Sequence, residues 1–102
     1  MTKCLVARLT ELKENSLKHV EAEGVPICLA RLEDGEVYAI NGICSHEQIE
    51  LSDGMLDDDV VECPLHGSCF NVRTGAVEGL PATEPVATYP VSVEDGEIFV
   101  EV

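Results

Sequence analysis

The 102-residue chain has no tryptophan, two tyrosines, two phenylalanines, and only six basic residues against twenty acidic ones. That shortage of cations leaves a formal net charge of −14. Nucleic acid and anionic membrane are poor partners for such a chain, since both are bound through Lys and Arg. A basic protein surface suits it better; the plainer reading is that the charge keeps a small protein in solution. No apolar run approaches the roughly 20 residues of a spanning helix. Lys3, Arg8, Glu11, Lys13 and Glu14 interrupt the N-terminal stretch, so no signal peptide is expected. The five cysteines are odd in number and lack the spacing of a secreted disulfide framework, so a reducing cytoplasm is the expected location.

No long helical period is present, and the chain is punctuated by turn signals. Lys3 to Leu9 reads as a strand, followed by a helical turn capped by Thr10 and closed by Asn15. Ser16 to Ala22 alternates as a strand, Glu23-Gly24 turns, and the more continuously apolar Pro26 to Leu32 reads as a strand buried on both faces. Asp34-Gly35 signals a two-residue hairpin into Val37-Tyr38-Ala39-Ile40, which Asn41-Gly42 breaks. An irregular acidic segment containing Asp57-Asp58-Asp59 leads to a short strand, Val60-Val61-Glu62. After Thr74-Gly75, Glu78 to Pro85 reads as a turn-rich loop. Val86 to Val93 and Glu97 to Val102 read as a last hairpin around Glu94-Asp95-Gly96. The expected fold is all-β, an antiparallel sandwich or barrel, in a single domain over 1–102.

The chemistry concentrates between Cys44 and Phe70. This stretch opens with Cys44-Ser45-His46 and closes with Cys63-Pro64-Leu65-His66-Gly67-Ser68-Cys69-Phe70, holding two of the three histidines and three of the five cysteines. Two hooks of thiolate plus imidazole, facing each other, suit a binuclear centre held between them. A zinc ion on the same four residues is the alternative, although zinc usually takes its ligand pairs at wider spacing.

The pattern Cys-x-His, sixteen residues, Cys-x-x-His, with Pro64, Gly67 and Ser68 beside it, resembles the Rieske signature. Nearly the whole chain is similar to the small Rieske ferredoxins of bacterial ring-hydroxylating oxygenases, through Val72-Arg73-Thr74-Gly75, Leu80-Pro81-Ala82 and Val91-Ser92-Val93. The resemblance implies a Rieske-type β-sandwich with a small cluster-binding subdomain of two loops, about 43–70. It implies one 2Fe–2S cluster, with Cys44 and Cys63 on the inner iron and His46 and His66 on the outer. It further implies an electron carrier, not an enzyme, serving aromatic hydrocarbon catabolism. Its expected partners are a flavin-dependent, NADH-using reductase and a terminal Rieske non-haem iron oxygenase, and it is expected to act as a monomer with no membrane or nucleic acid partner. The alternatives are a Rieske-fold small subunit of a larger reductase, of the nitrite reductase type, and a structural zinc module.

Two departures from the respiratory members of this family bear on potential. Ile49 and Leu65 stand where those proteins carry a pair of bridging cysteines, and Phe70 replaces a tyrosine whose hydroxyl would donate to the cluster. Ser68 keeps a hydroxyl, and the loop around Pro81 resembles the segment that covers the cluster. A potential in the lower part of the Rieske range, roughly −150 to +300 mV, is expected. Cys4, Cys28 and Cys69 read as small packing hydrophobes. His19 reads as an ordinary surface or edge residue, and Asp57-Asp58-Asp59 as a solvated turn without calcium-loop spacing. Acidic residues such as Glu47, Glu50 and Glu84 are expected around the histidine tip.

Overall fold

The computed structural model describes residues 2–46, 48–65 and 67–102. Eleven strands follow in order: β1 (Lys3–Arg8), β2 (Ser16–Ala22), β3 (Val25–Arg31), β4 (Val37–Asn41), β5 (Met55–Asp57), β6 (Val60–Glu62), β7 (Cys69–Asn71), β8 (Val77–Gly79), β9 (Thr88–Tyr89), β10 (Val91–Glu94) and β11 (Glu97–Glu101). They form three antiparallel sheets, ordered β1-β11-β10, β2-β3-β4-β9 and β5-β6-β7-β8. The all-β expectation holds. No helix among the described residues is long and apolar enough to cross a membrane.

The middle sheet is organised by β3, whose Ile27, Cys28, Leu29 and Ala30 are all buried. Side chains alternate across a strand, so consecutive apolar residues serve opposite faces. Ile27 and Leu29 pack with Leu12, Val20, Ile98 and Val100, toward the β1-β11-β10 sheet. Cys28 and Ala30 pack on the other side with Ile40, Leu51, Val61, Phe70 and Val72, toward the β5–β8 sheet. Burying each of the larger side chains contributes about 1.5–3 kcal/mol. Burial also pushes the Cys28 thiol up to about 12, in keeping with its role as a packing group.

Several turns take the geometry their residues favour. Glu23-Gly24 and Asp95-Gly96 both have two successive positive φ angles and close two-residue hairpins, Ala22 pairing with Val25 and Glu94 with Glu97.

Four local expectations are corrected. The first helical turn is a 3-10 turn over Leu9–Glu11 that starts before Thr10 and ends at its C-cap Leu12, so Asn15, at φ 61, does not close it but sits in the turn before β2. The Asp34-Gly35 hairpin has a three-residue loop, because Leu32 and Glu36 are still joined by a backbone hydrogen bond and Gly35 takes the left-handed position. The acidic segment contains β5, paired to β6 across Asp58 at φ 55. Val86 to Val93 is not one strand: Pro90 divides β9 from β10 and sends them to different sheets.

Candidate metal centre

Two hairpin tips carry the four residues expected as ligands. The first spans residues 44–49, and its stem is the bridge between Ile43 and Glu50. The second spans 63–68, and its stem is the pair Glu62 and Cys69. Each tip therefore has six residues, and each begins with a cysteine. The same backbone bond closes both: the Cys44 N–H donates to the Ile49 carbonyl at 3.0 Å, and the Cys63 N–H to the Ser68 carbonyl at 2.7 Å. One bond of this kind contributes about 0.5–1.5 kcal/mol net. Its larger effect is to hold each cysteine at the base of its loop.

Both cysteines are inside the protein, Cys44 at 2% exposure and Cys63 at 1%, and both belong to the cluster that includes Leu51, Phe70 and Ala82. His46 is exposed. His66, the fourth expected ligand, lies outside the described residues, as does Glu47. Among the described residues no three His, Cys, Asp or Glu side chains gather as ligands of a single ion.

Close backbone approaches hold the two hairpins together. After the first tip the chain makes a 3-10 turn, Leu51–Asp53, and then passes Gly54. A Cβ on Gly54 would lie 1.9 Å from the Glu62 carbonyl oxygen, so only glycine lets this segment cross the strand that leads into Cys63. Before the first tip, Gly42 lies against β3: its N–H donates to the Pro26 carbonyl at 2.9 Å, and a Cβ there would meet the Ile27 nitrogen at 3.0 Å. Asn41 caps the entry, its side-chain oxygen accepting from the Ile43 N–H at 3.0 Å.

A third segment, 80–85, lies across both tips. Ala82 is fully buried beside the two cysteines. Its N–H donates to the Ser68 hydroxyl at 3.0 Å, and the Ser45 hydroxyl donates to the Glu84 carbonyl at 2.6 Å. Ser68 is 0% exposed, and with its oxygen accepting from Ala82 its own proton remains for another acceptor. Leu65 and Leu80 are exposed, at 42% and 78%, with Glu50 and Glu84 also exposed.

The remaining candidates are placed as follows. Cys69 is partly buried on β7, its thiol 3.3 Å from the Gly67 carbonyl. Burial pushes this thiol up, and the Glu62 and Glu78 carboxylates add to the effect. Such a group disfavours the thiolate a metal ligand needs. His19 is more than an isolated edge residue. Its ring lies 3.3 Å from the Glu50 carboxylate, on the stem of the first tip, and 3.9 Å from that of Glu21. Its Nδ1 is buried, and the Glu50 contact there falls short of hydrogen-bond geometry. Sequence reasoning missed this link because Glu50 is remote from His19 in the chain.

Buried thiols paired with an exposed imidazole fit a cluster whose sulfur-ligated end is enclosed and whose nitrogen-ligated end meets solvent. Residues 2–90 match the Rieske [2Fe-2S] domain. The chain belongs to this family, whose cofactor is one Rieske-type 2Fe–2S cluster. Over 68 residues it is 54% identical to the 3-phenylpropionate/cinnamic acid dioxygenase ferredoxin subunit of Escherichia coli (strain K12), a match covering 66% of this chain and 64% of that relative's length. The ferredoxin of carbazole 1,9a-dioxygenase from Nocardioides aromaticivorans IC177 superposes with a TM-score of 0.92 at 38% identity, covering 98% of this chain and 97% of that one. A ferredoxin solved in complex with the oxygenase of carbazole 1,9a-dioxygenase gives 0.90 at 35% identity, over 96% and 100%.

Proposed function

We propose that this chain is a one-electron carrier and not an enzyme. It takes electrons from a flavin-dependent reductase that uses NADH and delivers them to a terminal Rieske non-haem iron oxygenase acting on an aromatic ring. The observation that carries this reading is the pair of equal hairpin tips, each with a buried cysteine at its base. The relatives that are ferredoxin subunits of dioxygenases support the choice of partners.

In this reading Cys44 and Cys63 hold the inner iron and His46 and His66 the outer. When bound, the cluster accepts and releases a single electron. Two thiolates and two neutral imidazoles leave the oxidised centre formally neutral, which places its potential above that of all-cysteine clusters. The protein keeps water from the thiolate side by burying both cysteines beneath Ala82. It presents His46 at the surface, where a partner can approach. The Ser68 proton would be free to donate to a sulfur of the bound cluster. The net charge of −14 steers docking with basic partner surfaces, as suits small, short-lived electron-transfer contacts. The 102 residues act as one soluble, monomeric domain in the cytoplasm.

Stopped-flow mixing tests the role. Reduced by a flavoprotein reductase and NADH, the protein should bleach, then regain colour when mixed with oxidised oxygenase. The second step should slow as the Debye length falls from ~10 Å at 0.1 M salt to ~3 Å at 1 M. A colourless protein, or one that the reductase leaves oxidised, would refute the proposal.

A further inference from the structure

We infer that Ser45 is a positioning residue that latches the 80–85 segment over the cluster site. The inference rests on the carrier reading above and deepens it. Ser45 stands between the first tip's two expected ligands, Cys44 and His46. Its hydroxyl leaves the tip and donates to the Glu84 carbonyl at 2.6 Å. One bond thereby ties down both the peptide that spaces thiolate from imidazole and the segment lying over it.

The segment has few other holds. Its ends are pinned by the Val86 N–H on the Gly75 carbonyl at 2.9 Å and by the Asn41 N–H on the Ala87 carbonyl at 2.9 Å. Among the described residues, no backbone–backbone hydrogen bond is made by residues 80–85. Between those ends it is held by the buried Ala82 methyl and by two serine hydroxyls, one from each tip. The two bonds are not equivalent. Ser68 is sealed inside, whereas Ser45 and Glu84 are at the surface, where water competes for both partners. The outer bond is therefore the one that opens, and it opens on the side of His46. No disulfide joins the tips, since all five cysteines are free. The hydroxyl latch does that work reversibly.

The test uses the cluster-loaded protein. In Ser45→Ala the Ala82 amide, bonded to Ser68, should exchange with deuterium roughly threefold to tenfold faster, the range expected for loss of one net hydrogen bond. Release of iron to a chelator should speed up in parallel. The midpoint potential should rise, because water reaching the site favours the more negatively charged reduced state. Ser45→Thr, which restores the hydroxyl, should return all three to the wild-type values. Unchanged exchange and potential in Ser45→Ala would overturn the latch, as would failure of Ser45→Thr to rescue. Wild-type protein lacking two irons and two sulfides per chain would instead overturn the carrier reading on which the latch rests.

Discussion

The two hairpin tips are alike in their inner half and unlike in everything that supports them. Both have six residues, both start with a buried cysteine, and both close through a cysteine N–H on the carbonyl five residues on. The second tip grows from a regular sheet, with β6 and β7 forming its stem and β5 and β8 on either side. The first has a single bridge for a stem, Ile43 to Glu50, on an otherwise irregular segment. It relies on contacts with other elements: Gly42 against β3, His19 against Glu50, Ser45 against Glu84. The positions of the expected ligands are set locally in one tip and by tertiary contacts in the other. The first tip should be the softer of the two.

The largest effect is expected where the tips meet. Gly54→Ala places a methyl 1.9 Å from the Glu62 carbonyl oxygen, and the clash is with backbone. Overpacking of this kind costs about 1–3 kcal/mol. A loss of that size in unfolding free energy, measured by denaturant titration, with earlier loss of visible absorbance, is the expected result. A variant as stable as wild type would mean that the two stems are not pressed together.

Alkaline pH should separate a core cysteine from one on a stem. Cys28, on the face of β3 that packs toward the β5–β8 sheet, has its thiol raised from 9.0 to about 12 by burial, so the folded state keeps a proton that the unfolded chain loses. Stability is then full below pH 9 and declines as pH rises from 9 toward about 12. Cys28→Ala should flatten that decline at some cost in packing. Cys69, on the stem of the second tip, is only partly buried and should add little to it. Equal slopes from the two cysteines would break the distinction.

The smallest effect belongs to His19. The pair with Glu50 is partly exposed, so His19→Ala should cost less than about 1 kcal/mol in global stability. Hydrogen exchange should nonetheless quicken at the first tip and not at the second. Equal quickening at both would contradict a soft first tip.

The candidate ligands could be picked out of the sequence because their chemistry is local: Cys44, His46, Cys63 and His66 stand at short, unusual spacings beside Pro64, Gly67 and Ser68. The buried central strand was legible for a similar reason, since Ile27 to Ala30 is apolar without alternation. The supports of the tips were not. Nothing near Cys44 shows that Glu50 closes its loop, because the pairing is a single bridge in an acidic stretch. Met55-Leu56-Asp57 is too short and mixed to announce a strand, and alternation runs through Pro90 as though the strand continued. Ser45 and Glu84 are 39 residues apart, and no local pattern joins them.

The most direct test of the central claim is electron paramagnetic resonance of the reduced protein, alone and with His46→Cys and His66→Cys. Ligation by two imidazoles predicts a rhombic signal of low average g, which each variant should disturb. An intact wild-type signal in both variants, or a wild-type signal typical of an all-cysteine cluster, would contradict it.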